Sequence, residues 1–310
     1  MNRIIGKFEG EEKGPLLICL GAMHGNEPAG VKAIAFVLKM LEIEPIKNPD
    51  FKYKGKFIGL IGNLAAYQAH QRFLNKDLNR CFSKSQLDHL NSIDPKLHDN
   101  EDKELLSLIE IINKEISIYK PEKLIVLDLH TTSSFGGIFT ICQETPEIIE
   151  MATALHAPVV TGFLEGIKGT TLHYFKKENT GVDTAAITFE SGQHDEPLSI
   201  NRAIAGIICC MREIKAVNRS DVENIHEDML IEYSSNLPEL ATLVEHHPIS
   251  ESDNFKMEPG FKNFQPVDEG QFIATDKEGK IKIKNAGRIL MPLYQEKGED
   301  GFFIIQDITA

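Results

Sequence analysis

The sequence lacks the features of a membrane protein or a nucleic-acid-binding protein. Its longest apolar helical candidate, 203–211, is far shorter than the roughly 20 residues of a membrane span. The amino terminus has no long apolar core, so we also expect no signal peptide. Acidic residues outnumber basic ones, 46 to 33, and an acidic protein does not attract nucleic-acid phosphates or anionic lipids. We therefore expect neither a nucleic acid nor a membrane as a partner.

Paired cysteines are missing too. The chain has five cysteines and no Cys-x-x-Cys pair, which argues against a cysteine zinc site and is typical of the reducing cytoplasm. The sequence contains no internal repeat and no low-complexity tract. What remains is a 310-residue chain of ordinary composition, long enough for one large domain and a smaller one.

Strand and helix patterns alternate along the first two thirds of the chain. Short apolar runs predict strands at 16–21, 56–62, 124–129, 137–142 and 185–189. Helical periodicity predicts helices at 28–41, 104–118 and 199–214. Strands that alternate with helices indicate an α/β fold, in which a mainly parallel mixed sheet is flanked by helices.

Two segments differ from this pattern. The polar segment 83–103 predicts a long surface loop. After a charged stretch at 218–228, the chain carries only short alternating segments, which predict a smaller C-terminal β domain. We place the larger domain at 1–216 and the C-terminal β domain, with its linker, at 217–310.

His24 and Glu27 lie in a turn between a predicted buried strand and a predicted helix. In open α/β sheets, ligands and catalytic groups gather at the carboxyl ends of strands. An imidazole and a carboxylate three residues apart reach one metal ion if the turn is tight, and Gly25 lets the backbone fold sharply between them. The alternative is a solvated turn whose carboxylate is stabilised by the helix dipole.

His130 follows the predicted strand 124–129 and so faces the same edge of the sheet. Two imidazoles and one carboxylate would leave a zinc ion one open position, as in hydrolytic sites. Asp128 points to the same side of its strand and could bond a ligand histidine from behind. Each residue also has a plainer interpretation: a hydrogen-bonded strand-end histidine for His130, and a salt bridge or helix cap for Asp128.

Glu190 and two arginines complete the polar candidates. Glu190 follows the predicted strand 185–189, where a carboxylate beside a metal would serve as a general base. Arg72 and Arg80 carry planar guanidinium groups that suit a carboxylate or an oxyanion. In the alternative interpretation, Arg80 pairs with Asp77 on a solvated turn.

In their order along the chain, these residues resemble the succinylglutamate desuccinylase and aspartoacylase family, which belongs with the zinc carboxypeptidases. The resemblance extends over about residues 15–195, and the small C-terminal β domain is also of the kind that the family carries. Its motifs are His24-Gly25-Asn26-Glu27, Arg72, Asp77-Leu78-Asn79-Arg80, Asp128-Leu129-His130-Thr131-Thr132 and Glu190.

The resemblance implies a role for each of these side chains. The implied ligands of one zinc ion (Zn²⁺) per chain are His24, Glu27 and His130. Glu190 would activate water, and Arg72 would polarise the scissile carbonyl. The implied contacts to a substrate carboxylate are Asn79 and Arg80.

Aspartoacylases also use a further arginine before the catalytic glutamate and a tyrosine near the C terminus. Here the segment 169–177 has no arginine, and the segment 299–303 offers phenylalanine, with Tyr294 nearby as a substitute. These departures leave the acyl group and the amino acid open, while the metal chemistry is unaffected.

We therefore expect a cytoplasmic, zinc-dependent amidohydrolase whose partner is a small N-acyl amino acid. It would release a carboxylic acid and a free amino acid, and homo-oligomerisation is left open. One alternative is a metallocarboxypeptidase that acts on peptides, which a wide cleft would favour. The other is a zinc-holding binding protein without hydrolytic activity, against which the presence of Glu190 argues.

Overall fold

The computed structural model describes residues 1–308 as an α/β fold built on one large mixed sheet. In chain order the strands are β1 (Ile4–Glu9), β2 (Glu12–Gly21), β3 (Lys54–Ile61), β4 (Lys123–Thr132), β5 (Phe139–Cys142), β6 (Val159–Thr161), β7 (Asp183–Gln193), β8 (Leu240–Pro248), β9 (Lys256–Met257), β10 (Pro266–Val267), β11 (Phe272–Asp276), β12 (Gly279–Lys282), β13 (Gly287–Leu290) and β14 (Asp300–Asp307). The helices are α1 (Ala29–Lys47), α2 (Leu64–Ala69), α3 (Lys84–Ser92), α4 (Asn100–Tyr119), α5 (Pro146–Thr153), α6 (Phe163–Gly166), α7 (Thr171–Tyr174), α8 (Lys177–Thr180), α9 (Leu198–Glu213) and α10 (Glu227–Ser234). Single 3₁₀ turns lie at Leu78–Arg80, Pro95–Leu97 and Glu251–Asp253.

The main sheet has eleven strands in the order β1-β3-β2-β4-β7-β5-β6-β8-β14-β13-β10. At its centre β3, β2, β4 and β7 are parallel neighbours, so their carboxyl ends lie at one edge. β5 runs antiparallel to β7, and parallel pairing resumes from β5 through β6 to β8. A separate antiparallel sheet, β12-β11-β9, lies in the C-terminal third. The predicted α/β class, with its mainly parallel mixed sheet and smaller C-terminal β unit, is confirmed.

Residues of β2 alternate between two buried faces of the sheet. Leu17 and Cys19 pack in one core together with residues of α1. Leu16, Ile18 and Leu20 pack in the other core together with residues of α4. A strand covered on both faces places every side chain in a core, which explains the continuous apolar run in the sequence. Each fully buried aliphatic side chain stabilises the fold by about 1.5–3 kcal/mol.

The prediction of a long surface loop at 83–103 is wrong, because this segment contains α3 and the start of α4. The Ser83 side chain caps α3, and Asp99 forms a capping box at the start of α4. The helix α3 is short and polar, and it buries Leu87 and Leu90. Two apolar residues in nine give little helical periodicity, but the caps satisfy free N–H groups at the helix starts.

Most C-terminal strands join the main sheet. β8 pairs in parallel with β6, and β14, β13 and β10 follow as antiparallel neighbours. The predicted boundary between residues 216 and 217 lies between α9 and β8, and one sheet extends across it. The division into two domains stays a prediction.

Two further sequence features have structural counterparts. All five cysteines are buried free thiols, and burial raises the pKa of the Cys210 thiol to about 12. These side chains therefore act as small apolar groups of the core rather than as nucleophiles. Within residues 1–308, no helix combines the length and the hydropathy that crossing a membrane requires.

Candidate active site

The carboxyl ends of two adjacent strands bring His24, Glu27 and His130 together. His24 and Glu27 lie in the turn between β2 and α1, and His130 lies near the end of β4. The His24 Nδ1 atom is 2.8 Å from Glu27 Oε1, and the His130 Nδ1 atom is 3.1 Å from Glu27 Oε2. All three side chains are buried, and their candidate ligand atoms lie within 4.8 Å of one another. The residues selected from the sequence therefore form one cluster.

Close packing, rather than a sharp bend, requires Gly25 in this turn. The left-handed backbone conformation occurs at Ala22, with a φ of 54°. A Cβ atom on Gly25 would lie 2.1 Å from the carbonyl carbon of Ala66 and 2.3 Å from the Tyr67 nitrogen. The Gly25 N–H donates to the Arg72 carbonyl oxygen at 3.1 Å. The turn that holds His24 is thus packed directly against the backbone of α2.

A carboxylate lies behind each of the two histidines. His24 Nε2 is 3.2 Å from Asp77 Oδ1, and His130 Nε2 is 3.2 Å from Asp128 Oδ2. Asp128 Oδ2 also accepts a hydrogen bond from the Thr171 hydroxyl at 2.7 Å. A carboxylate on Nε2 orients the ring and leaves the Nδ1 lone pair for a ligand. Asp128 thus has the position anticipated from the sequence, whereas the place of Asp77 behind His24 was not predicted.

The electrostatics of the cluster favour positive charge. Burial raises the pKa of Glu27, but His24 and His130 outweigh it and hold that pKa well below its usual value. Burial lowers the pKa of His130, yet Asp128 and Glu27 raise it well above 6.5. Burial also raises the pKa of Asp77, but His24 and Arg72 keep it well below its usual value. A metal cation that binds the imidazoles in place of a proton would be stabilised by the same carboxylates.

Glu190 lies on β7 beside His130, its register partner on β4. Its side chain is buried, and Oε2 has no hydrogen-bond partner among residues 1–308. Burial raises the pKa of Glu190 to about 7, with His130 opposing the increase and Glu27 adding to it. A carboxyl group that titrates near neutrality both accepts and returns protons readily.

Arg72 and Asn79 present hydrogen-bond donors to the cluster. Arg72 Nη2 donates to Asp77 Oδ2 at 3.1 Å, and Nη1 lies 3.5 Å from Glu27 Oε1. The buried Nε of Arg72 has no partner in the part of the chain that the structure describes. The side-chain oxygen Oδ1 of Asn79 accepts from the Thr171 N–H at 3.1 Å, which leaves the side-chain Nδ2–H₂ group of Asn79 to donate to a ligand.

Arg80 is paired with the C-terminal part of the chain. Its Nη2 donates to Asp300 Oδ2 at 2.5 Å, and its Nε is 3.7 Å from Glu299 Oε2. His246 Nε2 lies 2.7 Å from the other oxygen of Asp300. The ion pair with Asp77 that the sequence left open is not the pairing seen. A partner 220 positions away leaves no local signal in the sequence.

The candidate residues line one cavity of about 110 Å³. A loop between β13 and β14 closes part of it, because Met291, Leu293 and Gln295 belong to the lining. The Asn26 amide donates to Gln295 Oε1 at 3.0 Å and ties this loop to the turn after β2. Tyr294 is engaged elsewhere, since its hydroxyl donates to the Glu258 carbonyl oxygen at 2.7 Å. The tyrosine substitute considered from the sequence is thus held outside the cavity.

Sequence comparisons identify related proteins. Residues 13–214 match the model of the succinylglutamate desuccinylase/aspartoacylase catalytic domain. A probable aspartoacylase of Nostoc sp. is 30% identical over 139 residues, which cover 44% of this chain and 42% of that protein. A probable aspartoacylase of Acaryochloris marina is 28% identical over 148 residues, or 46% of this chain and 45% of that protein. The matched part thus spans less than half of each relative's length.

Solved structures share the fold at low sequence identity. A succinylglutamate desuccinylase/aspartoacylase of Rhodobacter sphaeroides has a TM-score of 0.64 and 16% identity, covering 96% of this chain and 87% of that one. Murine aminoacylase 3 has a TM-score of 0.56 and 17% identity, covering 96% and 97%. Because the family model matches well over half of the sequence, the chain belongs to the succinylglutamate desuccinylase/aspartoacylase family.

Proposed function

We propose that this chain is a zinc-dependent amidohydrolase that cleaves an N-acyl amino acid into a carboxylic acid and a free amino acid. One observation carries the proposal: the Nδ1 atoms of His24 and His130 converge on the two oxygens of Glu27, beside the buried Glu190. Two imidazoles and one carboxylate are a donor set that zinc uses in hydrolytic sites. We assign His24, Glu27 and His130 as the ligands of one zinc ion.

The side chains around this cluster have separate tasks. When bound, zinc supplies Lewis-acid activation of the scissile carbonyl and of the attacking water. Glu190 takes a proton from the water and passes it to the leaving amine. Arg72 donates to the oxygen that becomes negative in the transition state. The Asn79 amide and the remaining N–H groups of Arg80 hold the substrate carboxylate and so fix the amide bond in place.

The shape of the cavity favours a small substrate over a peptide. The space around the candidate residues has a volume of about 110 Å³ and is partly closed by the loop before β14, which suits a small substrate, although a larger cleft of about 1030 Å³ shares its rim. A metallocarboxypeptidase is therefore the weaker proposal. A binding protein without hydrolytic activity is also weaker, because it would have no use for a buried glutamate without a partner among residues 1–308.

The substitution Glu190→Gln tests the proposal, because it removes the proton acceptor and keeps the side-chain size. We expect about one zinc per chain in both proteins by elemental analysis, and a loss of kcat of about 10²–10⁴-fold in the variant. The matched control is Glu178→Gln, at an exposed position of α8, which should leave kcat unchanged. A normal kcat in Glu190→Gln would remove Glu190 from this role, and full activity of zinc-free native protein would overturn the metal assignment.

A further inference from the structure

The positive charge of Arg80 is balanced inside the protein. Asp300 accepts a hydrogen bond from Arg80 Nη2 at 2.5 Å, and Glu299 lies 3.7 Å from Arg80 Nε. Arg80 Nη1 donates to the Asn79 carbonyl oxygen at 3.0 Å. A guanidinium group has five N–H donors, so these contacts leave some free to bind one carboxylate. Because Asp300 and Glu299 together carry two negative charges beside the single positive charge of Arg80, no surplus positive charge is left for a second carboxylate of a substrate.

Asp300 is held firmly in this place. It is the first residue of β14 and stands opposite Pro248 in the pairing with β8. His246 contacts its second carboxylate oxygen at 2.7 Å. Although burial raises the pKa of Asp300, His246 and Arg80 lower it below its usual value, so this carboxylate is ionised at neutral pH. A ligand would have to displace a strand residue to gain the whole charge of Arg80.

The rest of the lining offers no replacement cation. In the chain up to residue 308, Arg72 and Arg80 are the only arginine or lysine side chains that line the cavity. Arg72 is itself paired with Asp77 and lies 3.5 Å from Glu27. A large part of the remaining wall is apolar and includes Ile141, Phe163, Leu164, Ile167, Leu172 and Phe303. Such a wall suits an uncharged hydrocarbon group.

We propose that the cavity accepts N-acyl amino acids with a single carboxylate and an apolar remainder, and that Asp300 and Glu299 exclude substrates with a second carboxylate. This inference rests on the proposed function. One carboxylate of the substrate accepts hydrogen bonds from the Asn79 amide and from the free N–H groups of Arg80. In this cavity a second carboxylate would meet the like charges of Asp300 and Glu299, and among residues 1–308 the lining offers it no arginine or lysine besides the paired Arg72 and Arg80. Repulsion between like charges is an effective means of discrimination.

The first experiment compares two pairs of substrates on the zinc-loaded protein: N-acetyl-leucine and N-acetyl-methionine against N-acetyl-aspartate and N-succinyl-glutamate. We expect kcat/KM to be at least about tenfold higher for the apolar pair. Calorimetric binding of the same compounds to zinc-loaded Glu190→Gln should give the same order. A preference for the dicarboxylates would overturn this inference and leave the proposed function standing. Failure to hydrolyse any of the four would contradict the proposed function, and the order of binding would still decide the inference.

The second experiment removes the excluding charges. Asp300→Asn keeps the size of the side chain and frees the charge of Arg80, so we expect the kcat/KM ratio of N-acetyl-aspartate to N-acetyl-leucine to increase about tenfold. Glu299→Gln alters a half-exposed side chain, so it should fold normally and give a smaller increase. The matched control, Glu296→Gln, lies in the same loop but outside the cavity lining and should leave the ratio unchanged. If Asp300→Asn and Glu299→Gln both fold and both keep the wild-type ratio of kcat/KM values, the assignment of these two residues is overturned.

Discussion

Asp77 and Asp128 contact the Nε2 atoms of His24 and His130 without lining the cavity. Their effect on a metal is therefore indirect, through the orientation and basicity of the imidazole rings. Asp128 is fully buried and is fixed by the Thr171 hydroxyl. Under the proposed zinc assignment Asp128 is a positioning residue, and its loss should be measurable as a change in zinc affinity.

We expect Asp128→Asn to weaken zinc binding by about 10–100-fold, because a neutral amide beside Nε2 no longer makes the neutral His130 ring a stronger electron-pair donor. The measurement is competition with a chromogenic chelator, with circular dichroism to check the fold. Asp183→Asn, at an exposed position at the start of β7, is the matched control and should bind zinc normally. Equal affinity in both variants would count against the positioning role of Asp128.

From the sequence we could place the candidate residues that follow predicted strands, but we could not predict the ion-pair partners that come from distant parts of the chain. His24, Glu27, His130 and Glu190 could be grouped because parallel strands end at a common edge. Asp300 could not, because its contact with Arg80 depends on how distant strands are ordered in the sheet. Pairings of this kind follow from tertiary packing, and no local pattern encodes them.

At the scale of elements, the turn after β2 depends on its contact with α2. In Gly25→Ala, the new Cβ atom would lie 2.1 Å from a backbone atom of Ala66, so one segment has to move. We expect a loss of about 1–3 kcal/mol in the free energy of unfolding, measured by urea denaturation, together with weaker zinc binding. At Gly166 the nearest atom to an added Cβ is 3.6 Å away, so Gly166→Ala is the matched control. Equal stability of both variants would contradict the packing argument.

The elements that the sequence revealed are those with a simple pattern of burial. β2 and β4 are covered on both faces and therefore appear as continuous apolar runs. β8 has an irregular mixture of buried and half-buried positions that includes polar side chains, and β6 has three residues. Neither strand has enough periodicity to be found. The helix α3 was missed for the same reason.

At the scale of the whole molecule, several buried or half-buried carboxylates depend on ion pairs. Burial raises the pKa of Glu227, but Arg212 and His156 lower it below the usual 4.5. A carboxylate whose pKa is lowered by folding stabilises the fold at pH values above the pKa that it has in the unfolded chain. This contribution is lost as the pH falls through the pKa that it has in the folded protein. A lower pH should therefore reduce the free energy of unfolding, apart from any effect of repulsion between like charges.

We expect the Tm, measured by calorimetry, to fall between about pH 5 and pH 3 as these carboxylates take up protons. The fall should be smaller in Glu227→Gln, which has no charge to lose at this position. Glu223→Gln, at an exposed neighbouring position, is the matched control and should follow the wild type. A Glu227→Gln profile that coincides with the wild-type profile would contradict this role of the ion pair.

The pairing of β6 with β8 has a consequence for synthesis on the ribosome. His24, Glu27, His130 and Glu190 all leave the exit tunnel before β8 does, since they precede it in the sequence. Until β8 emerges, the edge of β6 keeps unpaired N–H and C=O groups that can pair with another nascent chain. Until β14 follows, Arg80 also has no acidic partner from this end of the chain. Translation thus completes the sheet and the charge balance of the cavity only after the candidate site residues have been synthesised.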